Sequence, residues 1–357
     1  MISEVEKKIS RKFGRKHCVV VGSGTAAIYL ILKSLSLKKN DSVLMPGTCC
    51  FSPAYAVKYA GLKIDFCDIS LLDGCITPET LRIALDRNRD IKVLIGVHLY
   101  GNILKIDSVK KICKEYEVVF IEDACQAYGS LYKNKPCGAF GDYSVLSFGH
   151  TKVLNAGGGG AVLTDNDVIV RRIRKRADSL NSYNTRLIQQ LSRKHGERYY
   201  EIQNKVRSDL SKKYLFAGLW KNYRDLFLCG ISKKIVKNIE LLMENENTII
   251  RHRVKLKAIY EQELNKCLNI RVLKSPQKAI PWRFNFLLKK RCNKSFCDDL
   301  RTKGFDVSSW YPNLAGMFES DFKRKLPSAD ELERRIVNFW VDQTKNGKDV
   351  KKLCRFV

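Results

Sequence analysis

Three groups of residues in this chain have the types and the order needed for chemistry on a carbonyl compound. The first is Ser147-Phe148-Gly149-His150-Thr151-Lys152, followed by Val153-Leu154-Asn155-Ala156 and the glycines Gly157 to Gly160. The apolar run Tyr143 to Phe148 predicts a buried strand, and a small polar turn then carries Lys152. The glycines let the backbone double back into a second strand, Ala161 to Thr164. A lysine held in such a turn is partly shielded from water. Desolvation favours its neutral amine, which attacks carbonyl carbon. The competing reading is a loop lysine facing solvent.

The second group is Gly22-Ser23-Gly24-Thr25-Ala26-Ala27, placed between the apolar run Val19-Val20-Val21 and a helix whose apolar face includes Ile28, Leu30, Ile31 and Leu35. A strand, a glycine-bearing turn and a helix N-terminus present free N–H groups at the positive end of a dipole, which suits a phosphate. No Gly-Lys-Ser/Thr follows, and the third glycine of a dinucleotide fingerprint is absent. The third group is Glu122-Asp123-Ala124-Cys125-Gln126-Ala127, at the end of the strand predicted from Val118 to Ile121. A carboxylate there can hydrogen-bond a pyridine nitrogen and keep it protonated. An aspartate in that position is also a common helix cap.

These groups need a scaffold. Strands are predicted at Ser42 to Met45, Lys63 to Phe66 and Val93 to Val97, and helices at Ala54 to Ala60, from Thr77-Pro78-Glu79, and at Asp107 to Tyr116. Such alternation predicts an α/β fold around a largely parallel sheet with helices on both faces. Ligands bind at the carboxyl ends of such strands, where each of the polar groups falls.

Composition sets bounds. The chain has 357 residues, 45% of them hydrophobic, enough for a large folded core. No run of eighteen apolar residues occurs, and the start Met1-Ile2-Ser3-Glu4-Val5 lacks a signal-peptide core, so a cytoplasmic protein without a membrane span is expected. Thirteen scattered cysteines argue for reduced thiols; Cys292 and Cys297 have no second pair at zinc spacing, and no metal site is read. The net charge of +28 admits anionic partners, yet the cations are spread along the chain, so a solvated basic surface is favoured over a nucleic-acid site.

Taken together, Gly22 to Ala27, Val97-His98-Leu99-Tyr100-Gly101, Glu122 to Ala127 and Ser147 to Lys152 resemble the fold-type I pyridoxal phosphate (PLP) enzymes, and within them the nucleotide-sugar aminotransferases of the DegT/StrS group. The resemblance is clear from about Val19 to Asp165 and weaker beyond. It implies an aspartate aminotransferase-like fold: a large PLP-binding domain over 1–240 and a smaller C-terminal α+β domain over 241–357. Gly24, Thr25 and Ala26 would hold the cofactor phosphate, helped by Ser147. Asp123 would pair with the pyridinium, Gln126 would lie near the phenolic oxygen, and Lys152 would carry the cofactor and act as general base. Tyr100, Asn222 and Tyr311 would contact substrate, and a homodimer would share its active sites. The implied reaction moves an amino group, from glutamate, to a nucleotide-linked keto sugar, for a surface polysaccharide or related glycan. The rivals are a pyridoxamine-phosphate sugar dehydratase, which would need histidine at the Lys152 position, and a basic nucleic-acid-binding relative without catalysis.

The chain also departs from the family. Cys50, in Pro46-Gly47-Thr48-Cys49-Cys50-Phe51, stands where many members place an aromatic over the cofactor ring. Either Phe51 swings in or something smaller covers the ring. Gly158 stands where relatives often have an acid. Arg171 to Arg176 reads as an exposed basic helix face. About 180–230 is a basic, aromatic-rich insertion, which either packs on a partner subunit or grips bases and phosphates; within it Asn222-Tyr223-Arg224 faintly resembles a segment that relatives send into the neighbouring site. One long or two shorter helices are expected over Ile231 to Leu264. Strands follow at Ile270 to Leu273, Phe284 to Leu288 and Val307 to Trp310, with helices at Ser295 to Lys303 and Ser328 to Trp340.

Overall fold

The computed structural model describes residues 1–208, 210–318 and 325–357. Its main sheet uses β1 (His17–Val21), β2 (Ser42–Pro46), β3 (Lys63–Cys67), β4 (Ile91–Val97), β5 (Val119–Asp123), β8 (Tyr143–Ser147) and β9 (Gly160–Thr164), with β6 (Leu131–Tyr132) and β7 (Lys135–Pro136) forming a separate hairpin. The order is β1-β9-β8-β5-β4-β2-β3, and only β9 runs against its neighbours. The strands carry near-continuous apolar runs because helices cover both faces; β2 and β9 are buried at every position.

The helices of this half are α1 (Ile2–Phe13), α2 (Gly24–Ser34), α3 (Ser52–Ala60), α4 (Pro78–Arg87), α5 (Ile106–Glu115) and α6 (Asp167–Asp178). Thr77 caps α4 as expected, in a reciprocal arrangement with Thr80. The cations of 171–176 lie on the exposed face of α6.

Next come α7 (Thr185–Ser208), a 3-10 stretch at Leu210–Asn222, and the single turn α8 (Arg224–Phe227). This insertion packs on its own chain. Tyr199 and Phe216 are buried, the Tyr59 hydroxyl donates to the Trp220 carbonyl at 2.6 Å, and Lys213 pairs with Glu333 at 2.7 Å. A fully buried aromatic of this kind contributes about 1.5–3 kcal/mol, so the segment is held by its apolar face, with the Lys213–Glu333 pair at its edge.

Asn245 separates α9 (Lys233–Glu244) from α10 (Glu246–Leu264), giving two helices where one long one was the alternative. The second sheet, β10 (Ile270–Val272), β11 (Phe284–Leu288), β12 (Val307–Ser308) and β13 (Ile336–Phe339), is antiparallel in the order β10-β11-β13-β12. It surrounds its own core, where Tyr260 stacks on Phe284 at 4.8 Å and Phe286 meets Phe339 edge-on at 5.0 Å. The remaining helices are α11 (Asn293–Thr302), α12 (Ala315–Phe318), α13 (Pro327–Arg335) and α14 (Gly347–Cys354).

Two expectations need correction. The helix read over Ser328 to Trp340 ends at Arg335, and Ile336-Val337-Asn338-Phe339 is a central strand. Ile336 and Val337, both β-branched, pair with β11, Asn338 and Phe339 pair with β11 on one side and β12 on the other, and that pairing outweighs the helical pattern. The strand at Val307 stops at Ser308, two residues short of Trp310.

Candidate active site

Lys152, Asp123, Gln126, Ser147, Gly24, Thr25 and Tyr311 line one cavity of about 1190 Å³. The sheet register explains the convergence. Asp123 ends β5 opposite Val145 of β8, and Ser147 ends β8 two residues on. Ser147 lies opposite Gly160 of β9, and Gly160 in turn lies opposite Val21 of β1, where the Gly22–Thr25 turn begins.

Ser23 caps α2, its hydroxyl oxygen accepting the Ala26 N–H at 2.9 Å. That bond uses the Ala26 donor, and Ala26 does not line the cavity. The N–H groups of Gly24 and Thr25 have no partner within the helix and are left for a ligand. A side chain on Gly24 would sit 3.2 Å from Ser147 Cβ and from Cys125 Sγ, so its absence keeps the cradle open. Gly160 passes still closer; a Cβ there would lie 2.4 Å from the Ser23 backbone.

Asp123 is 4% exposed, and its Oδ1 accepts the Cys125 N–H at 2.9 Å. Gln126 is fixed at both ends: Oε1 accepts the Tyr100 N–H at 2.9 Å, and Nε2 donates to the Tyr311 hydroxyl at 3.3 Å. Tyr311 stacks on Tyr100 and Trp282 at 6.0 and 5.6 Å, and burial drives its hydroxyl well above the ordinary tyrosine pKa. Tyr100 itself is 1% exposed and stands behind this wall, its hydroxyl donating to the Trp310 carbonyl at 2.6 Å. Asn222 is exposed and does not line the cavity. Of the three residues expected at substrate, the structure therefore brings Tyr311 alone to the cavity of its own chain.

The Lys152 turn is pinned on several sides. Phe148 N–H donates to the Gly159 carbonyl at 2.9 Å, Ala156 N–H to the Phe148 carbonyl at 2.8 Å, and Asn238 of α9 to the Ala156 carbonyl at 3.3 Å. Gly157 and Gly159 have φ of 81° and 97°, the left-handed region that favours glycine. At Gly158 a Cβ would meet Ile235 Cδ1 at 2.9 Å, so any side chain there would require Ile235 of α9 to shift.

Beside the turn, both Cys50 and Phe51 line the cavity. Phe51 lies in an aromatic cluster with Tyr55 at 4.9 Å, His195 at 5.4 Å and Tyr199 at 5.6 Å. His195, Gln189 and Arg193 of α7 also line the cavity, so the insertion supplies part of the wall. Arg193 pairs with Glu197 at 3.4 Å on that helix. The sequence located the aromatics and cations of this segment but not the surface they cover.

Glu122 directly precedes Asp123, and its type and position in the sequence assign it no role. It is fully buried and accepts from His98 Nε2 at 3.0 Å, from the N–H groups of Gly138, Phe140 and Gly141, and from the Ser144 hydroxyl. Burial opposes its charge, but these bonds and the His98 ring hold its carboxyl below the usual range.

The family model for the DegT/DnrJ/EryC1/StrS aminotransferases matches residues 1–357. The chain belongs to that family. It is 30% identical over 182 residues to the GDP-perosamine synthase of Caulobacter vibrioides, a match covering 48% of this chain and 46% of that protein. It is 33% identical over 174 residues to the UDP-4-amino-4,6-dideoxy-N-acetyl-beta-L-altrosamine transaminase of Campylobacter jejuni, with the same shares. The chain spans about half the length of the curated relatives it matches. Its fold matches that of DesI, solved in the presence of its TDP-sugar product, at a TM-score of 0.80 and 19% identity, over 99% of this chain and 83% of that one. The architecture of this family member is thus the fold-type I α/β arrangement expected from the sequence. No helix among the described residues is long and apolar enough to cross a membrane.

Proposed function

We propose that this protein is a PLP-dependent aminotransferase that moves an amino group, from glutamate, to a nucleotide-linked keto sugar. The observation that carries the reading is the convergence of Lys152, Asp123, Gln126 and the Gly24–Thr25–Ser147 cradle on one cavity.

These residues suit the cofactor. The open N–H groups of α2 and the space left by Gly24 fit a phosphate. The Asp123 carboxylate fits a ring nitrogen, and the fixed amide of Gln126 fits a phenolic oxygen. When bound, PLP supplies an electrophilic carbonyl and a sink for electrons. Asp123 holds a proton on the ring nitrogen by its negative charge. Lys152 would offer its amine to that carbonyl and, as a free amine, would serve as the base that takes the proton from the substrate α-carbon. The aromatic wall of Phe51 and Tyr311 keeps water from that exchange.

The cavity exceeds the range of a single small ligand, which leaves room for a sugar and its nucleotide beside the cofactor. The relatives named for GDP- and UDP-linked sugars support that substrate class. Asn222 is exposed on its own chain, which agrees with a homodimer in which it serves the neighbouring site.

The test is to incubate the purified protein with PLP, glutamate and a panel of nucleotide-linked keto sugars, and to follow release of the keto acid. Glutamate-dependent bleaching of the bound cofactor, followed by turnover with one sugar, is the expected result. A protein that keeps its colour with every amino donor would sink the reading.

A further inference from the structure

Two consecutive carbonyls of the lysine turn are held by the C-terminal half of the chain. The Trp282 Nε1–H donates to the Thr151 oxygen at 2.9 Å, and an Arg253 terminal nitrogen donates to the Lys152 oxygen at 3.3 Å. Arg253 lies on α10 and is 2% exposed. Its other terminal nitrogen donates to the carbonyls of Pro281 and Trp282 at 3.3 and 3.0 Å. No carboxylate lies within ion-pair distance of it among the described residues. Burial draws its pKa down to about 10, which leaves it charged at neutral pH.

Taking a guanidinium out of water is costly unless its donors are matched, and an apolar side chain of similar volume often serves stability equally well. Here the two terminal nitrogens meet three backbone carbonyls, one of them that of Lys152, while the buried Nε–H has no partner among the described residues, so the arginine is not placed there for stability alone. The turn also needs holding. Thr151 has a φ of 69°, a region that L side chains with a branched β-carbon rarely adopt. Trp282 serves twice, because the ring that grips Thr151 also stacks on Tyr311 and Tyr100, at 5.6 and 6.1 Å.

We propose that Arg253, with Trp282, positions the Lys152 amine by fixing the peptide from which that side chain pivots. The side chain can then leave and rejoin its carbonyl partner while its root stays still. This inference rests on the proposed reading of Lys152 as the reactive amine. Arg253 acts through Lys152 and touches neither cofactor nor substrate.

The experiment uses Arg253→Met, Arg253→Lys and Trp282→Phe, each checked for folding by circular dichroism. Capture of PLP at Lys152 is followed by borohydride trapping. The amine and aldehyde condense with loss of water, hydride reduces the resulting C=N bond, and the labelled peptide is counted by mass spectrometry. Binding without capture is measured with pyridoxamine phosphate, which has no aldehyde. In Arg253→Met the labelling rate at Lys152 is expected to fall roughly 10- to 100-fold, with pyridoxamine phosphate affinity held within about threefold. Arg253→Lys, which keeps the charge and can reach one carbonyl, restores part of the rate.

Wild-type labelling in folded Arg253→Met overturns the proposal, and so does an equal loss of labelling and pyridoxamine phosphate affinity, the mark of a merely structural role. Should Arg253→Met fail to fold, Trp282→Phe decides: labelling slowed by roughly threefold or more supports the clamp, and an unchanged rate overturns it. If wild-type Lys152 captures no PLP, the proposed function fails and the clamp is read separately. Amide exchange at Lys152 and Val153 is then expected to quicken about tenfold in Trp282→Phe, and unchanged exchange overturns the clamp.

Discussion

The Glu122 carboxylate accepts the His98 Nε2–H at 3.0 Å; both side chains are fully buried, and Glu122 directly precedes the cavity-lining Asp123. His98 Nδ1 accepts the Leu104 N–H at 3.2 Å on its other side. The pair joins the end of β4, the end of β5 and the turn at 138–141, which is how the strand end carrying Asp123 is made rigid.

Replacing Glu122 with glutamine would aim an amide NH2 at N–H donors and leave at least two of them unpaired, because each carboxylate oxygen accepts from two N–H groups. We expect Glu122→Gln to cost about 3 kcal/mol, read as a fall in midpoint denaturant concentration. In the wild type the carboxyl is held below its ordinary value of 4.5, so its contribution is full above that pH and is lost as pH falls through the lower folded value. Unchanged stability in the glutamine variant would refute the role.

His195 gives a second acid sensitivity in a different window. Burial among Phe51, Tyr55, Tyr199, Tyr223 and Phe227 pulls its pKa from 6.5 to about 4. The unfolded chain therefore binds a proton first on acidification, and stability falls between pH 6.5 and 4 by up to about 3 kcal/mol. The variant His195→Phe should flatten melting temperature against pH between 7.5 and 5 relative to wild type. The same slope in both proteins would place the titrating group elsewhere.

Lys152→Ala should abolish turnover while pyridoxamine phosphate still binds, because the cradle and Asp123 are untouched. Isothermal calorimetry beside the keto-acid assay checks this. Ordinary turnover in that variant would reject Lys152 as the base.

Asp123→Asn keeps the shape of the side chain and removes its charge. The expected loss is roughly 100- to 1000-fold in kcat, with little change in melting temperature. A variant as fast as wild type would show that the ring nitrogen needs no anionic partner.

Gly24→Ala places a methyl 3.2 Å from Ser147 Cβ in a helix first turn with no backbone strain. We expect PLP affinity to fall about tenfold, measured by fluorescence titration, at nearly constant stability. Equal affinity would move the phosphate away from this turn.

Much of the site was legible because its signals are local. A β-branched run, a glycine turn and a helix start lie within ten residues of one another at Val19–Ile28, and the motifs ending in Asp123 and Lys152 are as short. What bonds to them was not legible. Arg253 reaches Lys152 across 101 residues of chain, and no periodicity in α10 marks it apart from other arginines. Ile336 to Phe339 read as helix because an apolar stripe reports which face is buried, not whether a neighbouring strand is there to pair with it. The insertion showed its aromatics, but a sequence cannot say whether its apolar face meets a partner or its own α3.

The position of β9 has a further consequence for biosynthesis. It is the last strand of the main sheet to leave the ribosome, yet it lies between β1 and β8. Until residue 164 has emerged, β1 has no neighbour to zip against, and the nascent chain presents an apolar edge of the kind that chaperones bind. The Gly22–Thr25 turn, whose Gly22 carbonyl accepts the Gly159 N–H at 2.7 Å, is thus completed only when that edge has closed.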